Sequence, residues 1–238
     1  MRQLLPTYEP EADLAAAYRY PADRTWVRAN MVSSLDGSAV QEGRSGGLSG
    51  EADKAVFATL RGLCDVVLVG AGTARTEGYR APRAKDEWAA LRSGLGQRPA
   101  PVLAVVSHGL GLDPASDLFS GDERTVVVTS GSSDERVRAR LAEVADVVVA
   151  GDDEVDPAAA VAALAARGLP RVLCEGGPSL LADVVRAGVL DELCLSLAPK
   201  VVAGSGTRIV HGPDVDVAFE PAHLLEEGGS LFARYTRG

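Results

Sequence analysis

The chain has 238 residues, 46% of them apolar, which is enough to bury one sizeable hydrophobic core. Its formal net charge of −9 argues against nucleic acid as a partner, because binding a phosphate backbone requires a basic surface. Pro6 and Pro10 interrupt an acidic first segment, and no apolar run approaches the roughly 18 residues that cross a bilayer, so we expect no membrane partner. Cys64, Cys174 and Cys194 are widely spaced within apolar runs, which predicts reduced thiols in a cytoplasmic protein.

Short β-branched segments alternate with alanine-rich amphipathic segments along most of the chain. The predicted strands, in chain order, are 26–32, 66–69, 102–106, 125–129, 147–150, 171–174, 192–197, 216–225 and 230–235. The predicted helices are 51–63, 134–144, 157–167 and 179–187. This alternation predicts an α/β fold with a mostly parallel central sheet, helices on both faces and antiparallel C-terminal edge strands.

Two long segments, 78–101 and 202–214, are rich in glycine, proline or charge and are predicted to be loops. No linker separates two hydrophobic cores. We therefore expect one domain over residues 1–238, in which residues 1–25 form an N-terminal extension.

Two predicted strands run directly into glycines. In the sequence RVLCEGGPSLLA, which starts at Arg171, a buried strand is followed by two glycines and a helix that Pro178 opens. In the sequence DVVLVGAGTAR, a second strand ends at Gly70 and Thr73 follows. Glycines let phosphate groups approach the backbone, and helix N-termini attract anions, so the two elements together predict a dinucleotide site. Each element alone is equally typical of an ordinary strand-to-helix turn.

Polar residues occur on the first long strand and on the helix that follows it. Asn30 and Ser33 lie on the strand, and the Asp36-Gly37 pair after it is typical of a β-hairpin turn. The helix places Asp53 on its apolar stripe, where a carboxylate needs a partner or a ligand. We expect Asp53 to bind the NH-rich edge of a pyrimidine or pterin, although an acid in the first turn is also favoured by the helix dipole.

These motifs resemble the pyrimidine reductase family of riboflavin biosynthesis, the reductase domain of the bacterial bifunctional deaminase–reductase. The resemblance is carried, in order, by SSLDG, a glycine- and serine-rich stretch, LRGLCDVVLVGAGT and EGGPSLLADVVRAGVLDELCLSLAPKVVAG. It covers the chain from about Trp26 onward and implies a dihydrofolate-reductase-like fold and a homodimer. The zinc-binding deaminase motif does not occur, and His108, His211 and His223 are assigned to loops or turns, so no metal site is expected.

The resemblance implies NADPH-dependent reduction of 5-amino-6-(5-phosphoribosylamino)uracil to its ribitylamino product. The candidate residues for binding NADPH are Ser33, Gly70, Gly72, Thr73, Glu77, Ser107, Gly176, Gly177, Pro178, Ser179 and Leu180. The candidate residues for binding the phosphorylated pyrimidine are Asn30, Ser45, Asp53, Arg61, Arg80, Arg83 and Glu175. Glu77 and Glu175 are the candidate catalytic acids, because opening the ribose ring requires a proton and hydride transfer requires no protein nucleophile. The three arginines are expected to contact the phosphate dianion.

The sequence departs from the family pattern at three positions. Asn30 stands where many members have lysine, Gly47 stands where a tryptophan is common, and Asp53 resembles the pterin-binding acid of folate reductases. Two alternatives therefore stay open: a dihydrofolate or pterin reductase on the same scaffold, and a catalytically silent NADP-binding or regulatory protein. A phosphate-binding cluster would indicate a pyrimidine reductase, because a dihydrofolate or pterin reductase has no use for one. Two glutamates remote from the nicotinamide would favour the catalytically silent protein.

Overall fold

A computed structural model describes residues 1–238, and its ten strands form one sheet. The strands are β1 (Arg2–Leu5), β2 (Trp26–Ser34), β3 (Val66–Gly70), β4 (Val102–Val106), β5 (Val126–Thr129), β6 (Asp146–Val149), β7 (Arg171–Cys174), β8 (Glu192–Ala198), β9 (Glu220–Glu227) and β10 (Ser230–Thr236). The helices are α1 (Leu14–Ala17), α2 (Glu51–Leu63), α3 (Ala71–Glu77), α4 (Asp86–Gly94), α5 (Glu135–Leu141), α6 (Pro157–Ala165) and α7 (Pro178–Arg186). None of the helices is both long enough and apolar enough to cross a membrane.

The strand order across the sheet is β1-β9-β10-β8-β2-β7-β3-β4-β5-β6. All neighbouring pairs from β8 to β6 are parallel. The three pairs at the other edge, β8–β10, β10–β9 and β9–β1, are antiparallel. The predicted α/β fold with a mostly parallel sheet and antiparallel edge strands is confirmed.

Helices cover both faces of the sheet because the central strands are apolar on both sides. On β3, Val67 packs in the same cluster as Leu60 of α2. Its neighbour Val66 points to the opposite face and packs in the cluster that contains Leu164 of α6 and Leu181 of α7. Because β3 is buried on both faces, its residues form one continuous β-branched run, and this run is the pattern from which the strand was predicted.

A buried ion network joins the first residues of β2 and β8. Glu192 accepts hydrogen bonds from Arg28 Nε at 2.6 Å, Arg234 Nε at 2.8 Å and Trp26 Nε1 at 2.8 Å. Burial acts to raise the pKa of Glu192, but the charges of the two arginines outweigh burial and lower that pKa to about 2.

Two segments differ from the prediction. The segment 78–101, predicted to be a loop, contains α4, whose Arg92 is buried and donates to the carbonyls of Gly62 at 3.0 Å and Cys64 at 2.8 Å. Arg92 thereby satisfies carbonyls at the C-terminal end of α2. The segment 1–25 contributes β1, which pairs with β9, so the outermost antiparallel strand comes from the N-terminal segment and covers the C-terminal pair.

The prediction of a hairpin at Asp36 and Gly37 is wrong. The chain does turn there, but β2 pairs only with its parallel neighbours β7 and β8. The Asp36 carboxylate instead accepts hydrogen bonds from the backbone of Val202 at 3.2 Å and Ala203 at 2.7 Å. It therefore anchors the long segment between β8 and β9. His223 lies within β9 and is buried, in agreement with the predicted strand 216–225 and not with its assignment to a loop or turn.

Candidate active site

A cleft of about 520 Å³ lies between β2, α2, α3 and the segment that follows β7. In open parallel sheets, ligands bind beyond the carboxyl ends of the strands, and the ends of β3 and β7 lead into this cleft. The candidate residues that line it are Asn30, Ser45, Asp53, Gly72, Thr73, Glu77, Glu175, Gly177 and Pro178. The fold thus brings together half of the candidate site residues from segments far apart in sequence.

A second groove of about 500 Å³ continues from the cleft across the carboxyl ends of β3 and β4. Gly72 lines both cavities. The groove is also lined by the candidate cofactor residues Gly70, Ser107 and Leu180. The cleft and the groove therefore adjoin at Gly72, beside the carboxyl end of β3.

Four glycines shape the wall between β3 and β7. Gly70 N donates to Gly176 O at 2.7 Å, which holds the two strand ends together. A Cβ on Gly177 would overlap Thr73 Oγ1, so only glycine allows this close approach. A Cβ on Gly72 would meet no atom within 4 Å, so the backbone there is open to a ligand.

Unpaired polar groups in the same cleft indicate that a polar ligand fits it. Asn30 Oδ1 is buried and has no hydrogen-bond partner within the chain. The N-cap of α7 is Gly177, which supplies no side-chain hydrogen bond, so the first N–H groups of α7 are free for an anion. Asn30 can accept a hydrogen bond and the start of α7 can hold a pyrophosphate, so the residues present fit a nicotinamide dinucleotide.

The Glu175 carboxylate is the centre of a hydrogen-bonded group at the base of the cleft. Its side chain is 1% exposed and accepts from Arg61 Nε at 2.8 Å, Arg61 Nη2 at 2.7 Å and Tyr79 Oη at 2.6 Å. Burial and then the charge of Glu175 raise the pKa of Tyr79 far above its ordinary value. Burial acts to lower the pKa of Arg61, but Glu175 outweighs burial and that pKa is raised. A bidentate arginine and a phenol donor together fix the position and orientation of this carboxylate.

The second candidate acid, Glu77, is the last residue of α3 and also lines the cleft. Its Oε1 accepts one hydrogen bond, from Ser45 N at 2.9 Å. Both carboxylates therefore face one cavity, but their environments differ. Both oxygens of Glu175 accept hydrogen bonds, whereas Glu77 keeps one oxygen without a partner in the chain.

Asp53 lies in the first turn of α2 and lines the cleft beside Phe57. Ser49 Oγ donates to Asp53 Oδ2. The apolar stripe of α2 predicted that Asp53 points inward, and Asp53 is one of the residues that line the cleft. Its second oxygen is available to a ligand.

The structure does not bring the predicted arginine cluster together. Arg80 is exposed and pairs with Asp117 at 3.2 Å, and Arg83 is exposed and donates to the Ser120 carbonyl at 2.7 Å. Neither side chain lines the cleft, because the chain turns away from it after α3. Arg61 is directed at Glu175 instead of at the cavity, so a phosphate contact by these three arginines is not assembled.

Two predicted serines also lie outside the cavities. Ser33 is buried within β2, and its hydroxyl donates to the carbonyl of Ser34 at 2.9 Å. Ser179 lies in the first turn of α7 and is exposed to solvent. Lys54 and Tyr79 line the cleft although sequence reasoning passed over them. Lys54 directly follows Asp53 on the helix, but no local pattern marks Tyr79. The chain contains no cluster of His, Cys, Asp and Glu side chains arranged to hold a metal ion.

The fold is a ten-stranded α/β sheet whose cleft lies at the carboxyl ends of its parallel strands. Residues 25–231 match the model of the RibD C-terminal domain family, and the chain belongs to that family. The predicted family is thereby confirmed.

Two relatives match nearly their whole length. The 2,5-diamino-6-ribosylamino-4(3H)-pyrimidinone 5′-phosphate reductase of Archaeoglobus fulgidus is 26% identical over 218 residues, covering 90% of this chain and 100% of the relative. The reductase of the same name from Methanothermobacter thermautotrophicus is 29% identical over 219 residues, covering 90% and 98%. A solved structure of a pyrimidine reductase-like protein from Corynebacterium diphtheriae is 26% identical with a TM-score of 0.83, covering 94% and 98%. These relatives are reductases, so the chain is an oxidoreductase.

Proposed function

We propose that this protein uses NADPH to reduce the ribosylamino group of a 6-(5-phosphoribosylamino)pyrimidine to a ribitylamino group in riboflavin biosynthesis. The observation that carries the proposal is the Glu175 carboxylate, buried and held by Arg61 and Tyr79 immediately before Gly176 and Gly177. This arrangement puts a fixed negative charge beside the glycines that fit the cofactor. Glu77 lines the same cleft, which argues against a catalytically silent binding protein.

Glu77 and Glu175 have different roles in the proposed reaction. When bound, NADPH supplies the hydride that reduces C1′ of the sugar. The C1′–O4′ bond must break first, with its electron pair leaving on O4′, which takes up a proton, while the exocyclic nitrogen forms a C=N bond to C1′. Glu77 is the better proton donor because it has one free oxygen, whereas Glu175 already accepts three hydrogen bonds. The Glu175 charge stabilises the positive charge that develops on the nitrogen.

The residues that would hold the cofactor follow from the fit of the cavities. The open backbone at Gly72 and the free N–H groups at the start of α7 would bind the pyrophosphate. Ser107 lines the groove that would receive the adenosine end. Asn30 Oδ1 would accept a hydrogen bond from the nicotinamide carboxamide or from the substrate.

Asp53 bears on which pyrimidine is reduced. The uracil that the resemblance implies presents an N–H flanked by two carbonyl oxygens, and those oxygens repel a carboxylate. The diaminopyrimidinone named for the archaeal relatives presents an N–H beside an amino group. A carboxylate accepts both of these donors at once. Asp53 therefore favours the diaminopyrimidinone over the uracil, and it equally favours a pterin, which keeps dihydrofolate reduction as a second candidate function.

The test is consumption of NADPH or NADH by the purified protein, followed by nicotinamide absorbance, with three substrates. These are the phosphoribosylamino forms of the diaminopyrimidinone and of the uracil, and dihydrofolate. Turnover of a phosphoribosylaminopyrimidine with NADPH supports the proposal, and turnover of dihydrofolate alone transfers it to the second candidate. Glu77→Gln is expected to lower kcat by about 100-fold, in the range of a lost general acid. Wild-type activity in that variant would remove Glu77 from the mechanism.

The proposal also places the protein in the cytoplasm as a homodimer. All three cysteines are free and buried, which supports the cytoplasm as the site of the reaction. The family resemblance supports a homodimer. Light scattering at assay concentration tests the assembly, and a monomer mass there would refute it.

A further inference from the structure

Four charged side chains line the cleft, and only one of them is positive. The carboxylates are Asp53, Glu77 and Glu175, and the cation is Lys54. A phosphate dianion that enters this cavity is repelled by each carboxylate and attracted by the single ammonium group. The binding point for a phosphate is therefore strongly constrained by charge alone.

Arg61 is not free to serve as that binding point. Its Nε and Nη2 atoms both donate to Glu175, and its guanidinium stacks on Phe57 with 4.3 Å between Cζ and the ring centroid. Turning Arg61 toward a phosphate would leave a fully buried carboxylate without its charged partner, which is strongly unfavourable. The bond from Tyr79 to the same carboxylate further fixes this arrangement.

Lys54, in contrast, can exchange its partner at little cost. Its Nζ bonds Glu51 Oε1 at 2.6 Å, and the Glu51 side chain is 91% exposed. Exposed pairs at this helical spacing contribute little to stability, so a dianion can replace the glutamate. The hydrogen bond that Lys54 donates to Glu51 also raises the pKa of Lys54, and the ammonium is charged at neutral pH.

Resting on the proposed function, we propose that Lys54 at the mouth of the cleft binds the 5′-phosphate of the substrate. Arg61 is then a positioning residue that holds the Glu175 carboxylate in place. The ligand class is a sugar phosphate monoester. Its phosphate lies at the solvent-exposed rim, and its base lies deeper, beside Asp53.

The experiment compares the phosphorylated pyrimidine with its dephosphorylated form in the same variants. Lys54→Met is expected to raise KM for the phosphorylated substrate about tenfold or more, as loss of a charge-assisted contact predicts, with kcat within about twofold. KM for the dephosphorylated substrate stays unchanged. Glu51→Gln frees Lys54 and is expected to lower KM for the phosphorylated substrate only.

Two further variants separate the roles. Lys85→Met is the control for loss of surface charge. The Lys85 side chain is 62% exposed, against 64% for Lys54, and each lysine pairs with a glutamate. This control variant is expected to leave both KM values unchanged. Arg61→Lys is expected to lower kcat for both substrates and to preserve the preference for phosphate.

Binding of ribose 5-phosphate, measured by calorimetry, tests the inference independently of turnover. Wild type and Lys85→Met should bind it equally, and Lys54→Met at least about tenfold more weakly. Equal binding by Lys54→Met and wild type overturns the assignment, as does a phosphate preference that survives in Lys54→Met and disappears in Arg61→Lys. Absence of pyrimidine turnover in wild type, with Lys54-dependent binding intact, refutes the proposed function and leaves the phosphate site standing.

Discussion

His223 makes the fold sensitive to acid from a pH above the range in which ordinary carboxylates titrate. The side chain is 5% exposed in β9, its Nε2 has no hydrogen-bond partner, and its ring meets Tyr18 edge-on with centroids 4.7 Å apart. Burial, and then the charge of Arg234, lower the pKa of His223 from 6.5 to about 4. The histidine is therefore neutral in the folded protein at pH values where the unfolded chain protonates it.

The sign of the effect follows from proton uptake in the two states. Between about pH 6.5 and pH 4 the unfolded chain binds more protons at His223 than the folded protein does. The free energy of unfolding therefore falls as pH falls through this window, and the contribution is fully present only above the unfolded pKa. A pKa depressed by about 2.5 units corresponds to about 3 kcal/mol over the window.

His223→Phe removes the titration and retains a ring that can pack edge-on against Tyr18. Between about pH 6.5 and pH 4, the free energy of unfolding should fall by about 3 kcal/mol less in the variant than in the wild type. Urea unfolding followed by circular dichroism at several pH values measures the difference. His211→Gln, at an exposed position, should follow the wild-type curve. Parallel losses of stability in wild type and His223→Phe would refute the reasoning.

Three further substitutions test the packing of the core and of the site. Glu192→Gln leaves the buried Arg28 and the half-buried Arg234 without their carboxylate, so the free energy of unfolding should fall by about 3–5 kcal/mol in urea at neutral pH; a loss under about 1 kcal/mol would contradict this. Gly62→Ala drives a methyl group into the Trp88 ring and should cost about 1–3 kcal/mol in urea unfolding, an effect that Trp88→Ala in the same chain should reduce. Gly177→Ala overlaps Thr73 Oγ1 and should weaken NADPH binding in a fluorescence titration with little change in KM for the pyrimidine; unchanged NADPH affinity would show that this wall does not hold the cofactor.

Much of the central sheet could be read from local patterns. The β-branched runs of β3 and β4 predicted buried parallel strands, and the apolar spacing on α2 predicted both its bounds and the direction of Asp53. These features depend on residues a few positions apart, so they are present in any short window of sequence. The glycines after β3 and β7 were found for the same reason.

The elements that were missed depend on distant partners. Helix α4 has no strong apolar stripe, and it is held by Arg92 and Trp88 against the end of α2. Strand β1 is short and half-exposed, and it is ordered by pairing with β9 at the other end of the chain.

The sequence by itself determined the strand–helix alternation, the family and nine of the 20 residues that line the cleft. Only the tertiary structure decided how their charges are paired. Arg61 and Glu175 are 114 residues apart, yet they form a bidentate pair that occupies Nε and Nη2 of the arginine. Arg83 is carried to the surface, and Lys54 is left as the one cation of the cleft. A charged group's role depends on which other charges surround it, and that distribution exists only once distant segments have packed.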